Sequence, residues 1–141
     1  MLRAFPMILI AVVAYNVIIL GGMAAGQPAT ALLDSNVSLA MFSGDAWRIS
    51  VGDGLLTLAL AMLFVETVKA ANSTHREILN HALSMLTFVA ALVEFIVLKG
   101  FGTSIFFLIT LMCLFDVVAG YTISIITAKR DLTMAPHEDR Y

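Results

Sequence analysis

Near the centre of an apolar run of about 26 residues, 103–128 (TSIFFLITLMCLFDVVAGYTISIITA), stands a carboxylic acid, Asp116. A helix rises ~1.5 Å per residue, so a run of this length crosses a hydrocarbon layer of ~30 Å and sets Asp116 close to the bilayer centre. By insertion scales an acid at that depth costs about 2.5–3.5 kcal/mol, so such residues face protein and pair with something. They mark either a path for ions or protons or a buried polar joint between helices.

The rest of the chain fits the same solvent. Of its 141 residues, 60% are hydrophobic and 13% charged, and the mean hydropathy is +0.95. That composition belongs to a polytopic membrane protein. Four apolar runs predict an all-α membrane protein, a single domain over 1–141 with four transmembrane helices at about 4–23, 49–71, 75–98 and 103–128. Short turns between the last three make them antiparallel neighbours in a bundle. No length is left over for a separate soluble catalytic domain. The formal net charge of −2 gives nucleic acid no reason to bind. The single cysteine, Cys113, has no partner within the chain for a disulfide or a thiol relay. Arg3 and the Ala24-Ala25-Gly26 triplet have the outline of a signal peptide, but the apolar stretch from Ala4 to Leu20 exceeds a usual signal core and reads as a first span.

Local signals place the ends. Pro6 falls in the first turns of the first span, where its missing N–H costs least. A connector over 24–47 carries the turn formers Gly26, Pro28, Asp34, Asn36 and Gly44. Within it the semi-apolar stretch 31–42 predicts a short interfacial helix, and Trp47 suits an aromatic belt. Ser50 and Asp53 have the spacing of a helix start, Thr74 and Glu77 that of a capping box, and Thr103 caps the last span after a tight Gly100-Phe101-Gly102 turn. The segment 129–141 reads as a polar tail. Arg3, Lys69, Arg76, Lys129, Arg130 and Arg140 fall on one side of this arrangement and only Arg48 and Lys99 on the other. That bias predicts cytoplasmic N- and C-termini in a bacterial inner membrane, with the 24–47 connector outside.

Polar residues inside the spans form a pattern. In the third span Asn80, Ser84, Thr87, Ala91 and Glu94 recur at intervals of three and four, one narrow small and polar stripe that should face other helices. Cys113, Asp116, Gly120 and Thr127 form a matching stripe in the fourth. The first span offers Tyr15 and Asn16; the second carries Asp53 and Thr57 on one face and Glu66 on nearly the opposite one. Counting rise along each helix gives three polar depths: Asp53 and Glu94 outside, with Arg48 and Lys99 as counter-ions; Asn16, Thr87 and Asp116 at the centre; Glu66, Lys69, Asn80 and His81 inside. Glu66 and Lys69 form a local pair, and Asn16 or Thr87 is the expected partner of Asp116.

Several chemistries are excluded. The three histidines, His75, His81 and His137, offer no axial pair for a membrane haem, and no His, Cys and carboxylate set has metal-site spacing. No phosphate-binding glycine loop or nucleophile elbow occurs. Small four-helix bacterial transporters carry a carboxylate at the middle of their first helix, where this chain has Ala14-Tyr15-Asn16, and quinone-linked thiol oxidases need paired cysteines. Neither pattern is met. The expectation is a small non-enzymatic accessory or scaffold subunit of a larger membrane complex. Its partners would be other integral membrane subunits and lipids, with a homo-oligomer compatible. No cofactor is expected; contact with lipid or quinone is left open. The alternative is a proton- or cation-coupled transporter using Asp116 with Glu94 and Glu66.

Overall fold

A computed structural model of the chain describes residues 5–71 and 77–134. The order of elements is α1 (Ile8–Ala24), α2 (Ala29–Leu33), β1 (Asn36–Ala40), β2 (Ala46–Ser50), α3 (Val51–Ala71), α4 (Glu77–Val97) and α5 (Ser104–Met134). Three helices are long and apolar enough to cross a membrane, over Val51–Ala70, Asn80–Val97 and Ser104–Ile126. The shorter apolar helix α1, 17 residues long, packs among them.

Several helix ends follow directly from local chemistry. Pro6 precedes α1 and lends its carbonyl to the Leu9 N–H, so the first turn forms without the N–H that proline lacks. At the other end the Gln27 N–H reaches the Gly22 carbonyl and the Gly26 N–H reaches that of Met23. This is a Schellman closure, and it needs the left-handed backbone that Gly26 supplies at φ +80°. Ser50 and Asp53 cap α3 reciprocally: the Asp53 carboxylate accepts the Ser50 N–H at 2.8 Å, and the Ser50 hydroxyl accepts the Asp53 N–H at 3.0 Å. The Thr103 hydroxyl accepts the Phe106 N–H at 3.2 Å and starts α5. The capping box expected at Thr74 and Glu77 lies outside the described residues.

Two contacting ends define the direction of the helices. At one, the backbone just before α1 meets Glu66 and Lys69 near the end of α3 and Asn80 near the start of α4. At the other, the turn after α4 tucks beneath the end of α1, where a Cβ on Gly100 would strike Met23 and Ile19. The helices α3, α4 and α5 therefore alternate in direction. The core between them is built from Ile8, Ala11, Tyr15 and Ile19 of α1, Leu55 and Ala59 of α3, Ala91 of α4 and Phe106, Ile109 and Cys113 of α5.

The structure departs from the sequence expectations in two places. The connector is not a loop with one interfacial helix over 31–42, and the chain is not purely helical. Only Ala29–Leu33 is helical, and β1 and β2 then form an antiparallel hairpin in the register Asn36↔Ser50 to Ala40↔Ala46. The alternation of Val37, Leu39 and Met41 with small or polar residues has period two, which a helix cannot use. The last helix also continues to Met134, so residues 129–134 are helix rather than tail. Their lysine, arginine, leucine and methionine are good helix formers, and nothing in that stretch breaks the ladder.

Candidate functional site

Glu66 is a buried carboxyl group with several hydrogen-bond partners. It sits on the face of α3 opposite Asp53 and Thr57, which are exposed, and is itself only 1% accessible. Its Oε2 accepts the Met7 N–H at 2.8 Å and its Oε1 accepts the Asn80 amide at 2.6 Å. The Lys69 ammonium lies 3.0 Å from Oε1 and 3.2 Å from Oε2. Lys69 also donates to the Phe5 carbonyl at 2.8 Å and to Asn80 Oδ1 at 3.4 Å. The local pair read from the sequence is thus the centre of a node joining three helices. A buried carboxylate held by a cation and two further donors recovers much of its desolvation penalty.

Above this node runs the polar stripe of α4. Asn80, Ser84, Thr87 and Ala91 are all buried, as their spacing predicts, with Glu94 half-buried at the far end. Facing it on α5, Cys113, Asp116 and Gly120 are buried too. The side chain of Thr127 lies outside what is described. Gly120 leaves room for the His81 ring, which a Cβ there would strike. His81 Nε2 and the Ser124 hydroxyl are 2.7 Å apart, and the ring stacks on Tyr121 at 5.6 Å. His81 is therefore a buried link between α4 and α5. The signal was present in Gly120 and Ser124, which follow Asp116 at intervals of four on one face.

Asp116 lies one residue past 115, the midpoint of the Ser104–Ile126 apolar segment. It is 5% accessible, and its Oδ2 makes no hydrogen bond among the described residues. Across the α4–α5 interface its polar neighbour is the buried Ser84. The expected partners are corrected. Asn16 donates to Glu94 Oε2 at 2.9 Å and to the Val12 carbonyl at 3.1 Å. Thr87 donates to the Leu83 carbonyl of its own helix at 2.8 Å. Residue counting along a helix gives depth but not which neighbour faces a side chain. Ser84, one turn from Thr87, is what lies opposite Asp116.

The hairpin end has a second joint. Glu94 pairs with Asn16, where the sequence suggested Lys99 or Arg48. Beside it the Tyr15 hydroxyl is 2.7 Å from Thr103 Oγ1 and donates to the Gly100 carbonyl at 3.3 Å, with Phe101 and Phe106 against its ring. Asp53 takes no part in this joint; its carboxylate is occupied by Ser50 at the helix start. An open cleft of 360 Å³ lies nearby, between Met23, Gly26, Gln27, Pro28, Ala29, Lys99 and Gly100.

Chemically, the site sets the acid of Asp116 and the hydroxyl of Ser84 in the buried α4–α5 interface, with the His81–Ser124 hydrogen bond nearer one end. Among the described residues, no group of three or more His, Cys, Asp or Glu side chains could hold a metal ion. No protein-family model matches the chain, and neither a curated protein nor a solved structure matches it.

Proposed function

We propose that this protein is a small accessory or scaffold subunit of a larger integral-membrane assembly. One observation carries the reading: the buried polar side chains are largely spent on joining the bundle's own helices, while broad apolar helix faces are left outward. Glu66, Lys69 and Asn80 bind one end together and Asn16, Glu94, Tyr15 and Thr103 the other. Phe64, Ile96, Val97 and Phe115 point out from three different helices. Such surface suits van der Waals packing against neighbouring spans, which drives association where water is absent. Extraction in a mild detergent followed by size separation tests this. The protein should leave the membrane in fixed stoichiometry with unrelated membrane subunits; recovery as a lone monodisperse species would contradict it.

The proposal includes α1 as a fourth span. Its 17 residues reach about 25 Å, and the turn at Pro6 and Met7 lengthens the crossing. It also includes the placement in a bacterial inner membrane with both termini in the cytoplasm, which rests on the bias of Lys and Arg toward one set of inter-span segments in the sequence.

The bare oxygen of Asp116 favours a second reading, proton- or cation-coupled transport through the α4–α5 interface. The test is flux in proteoliposomes carrying Asp116→Asn, an isosteric change. Loss of flux with the helical content intact would support transport, and unchanged flux would remove Asp116 from any such mechanism.

A further inference from the structure

The hairpin between α2 and α3 has two unlike faces. Cross-strand partners share a face, so the pairs Val37↔Ile49 and Leu39↔Trp47 lie together, with Met41 continuing the row. The other face carries Asn36, Ser38, Ala40, Ala46, Arg48 and Ser50. In a folded protein the apolar row would be covered, yet here it is open: Val37 is 68% and Trp47 55% accessible, Leu39 and Met41 are exposed, and Phe42 at the tip is fully so. A two-stranded hairpin in water is marginal at best, and an uncovered apolar face makes it worse.

The root of the hairpin says what covers that face. The last residue of β2, Ser50, is followed directly by Val51, the first residue of α3, and the Val51 N–H is tied back to the Ser35 carbonyl at 2.9 Å. The reciprocal Ser50–Asp53 cap fixes the same junction. The apolar segment that can cross a membrane also starts at Val51. The hairpin is therefore rooted at the plane where the hydrocarbon begins, and its five-residue strands extend ~17 Å from that root. Tryptophan prefers that boundary, and a guanidinium on the opposite face, that of Arg48, suits phosphate headgroups and water.

We propose that the β1–β2 hairpin is an interfacial membrane anchor. It lies along the leaflet on its own side of the bundle, with Val37, Leu39, Met41, Phe42 and Trp47 in the headgroup–acyl boundary and Arg48 facing the headgroups. This inference depends on the three spanning helices and not on the identity of any partner subunit.

The chain supplies its own probe, since Trp47 is its single tryptophan. The full-length protein is reconstituted in phosphatidylcholine vesicles whose acyl chains carry bromines either near the carbonyl end or near the methyl end. Trp47 emission should be blue-shifted and shielded from acrylamide. It should be quenched several-fold more strongly by the shallow bromines than by the deep ones. Leu39→Asp together with Phe42→Asp should reduce that quenching and open Trp47 to acrylamide, with helical content by circular dichroism unchanged. Full acrylamide quenching of the unaltered protein without bromolipid quenching would put the hairpin in water and overturn the proposal. Protection from both quenchers would mean a covering protein surface, a second copy included, and would overturn it equally. Stronger quenching by the deep bromines would exclude a boundary position. The unaltered protein gives each of these answers even if the double variant fails to fold.

Discussion

Glu66 accepts bonds from Met7, Asn80 and Lys69 while Asp116 leaves one oxygen bare, so replacing each by its amide separates two roles. Glu66→Gln puts an amide nitrogen against groups that all donate and strips Lys69 of its counter-charge. Breaking a buried pair in this way costs about 3–5 kcal/mol. The midpoint of unfolding in mixed micelles titrated with dodecyl sulfate should fall accordingly. Asp116→Asn should move the same midpoint by no more than about 1 kcal/mol in either direction, because the change is isosteric and the oxygen it replaces can be the one that makes no hydrogen bond. A large loss there would make Asp116 a structural joint after all. Gly120→Ala forces a methyl group into the His81 ring, and overpacking of this kind costs about 1–3 kcal/mol, readable in the same titration.

At the scale of elements, the close of α1 offers a test of backbone conformation alone. Gly26 has φ +80° and nothing within 4 Å of where a Cβ would sit, so Gly26→Ala meets no clash. Its cost, roughly 1–2 kcal/mol, is that of a left-handed backbone in an L-residue, measured as a shift in the unfolding midpoint. Much of the helical layout could be read from residue order. The starts at Ser50 and Thr103, the inward stripe of α4 and the opposed faces of α3 all follow from local spacing. The hairpin was hidden because five residues of alternation between turn formers are too few to outweigh a semi-apolar composition. The continuation of α5 was hidden because charge marks exposure, and an exposed segment can be helix as readily as tail. The partner of Asp116 was hidden for a third reason: pairing across an interface depends on how two helices rotate and slide against each other, which neither sequence encodes by itself.

For the molecule as a whole, the charge bias and the hairpin give a directional expectation. In a Cys113→Ala background, cysteine at position 38, on the polar face of the hairpin beside Arg48, should react with a membrane-impermeant maleimide added to intact cells, and cysteine at position 129 should react only after the membrane is opened. The reverse pattern would invert the proposed orientation while leaving the fold untouched. The node around Glu66 has one more consequence. Glu66 and Lys69 grip the opening stretch through the Met7 N–H and the Phe5 carbonyl, atoms that nearly every amino acid provides. The clasp is encoded in α3, not in the segment it clasps, so a change of side chain at position 5 or 7 leaves both of these main-chain bonds available. Proline at position 7, which has no hydrogen to give, is the one substitution there that would unhook Glu66 from the main chain.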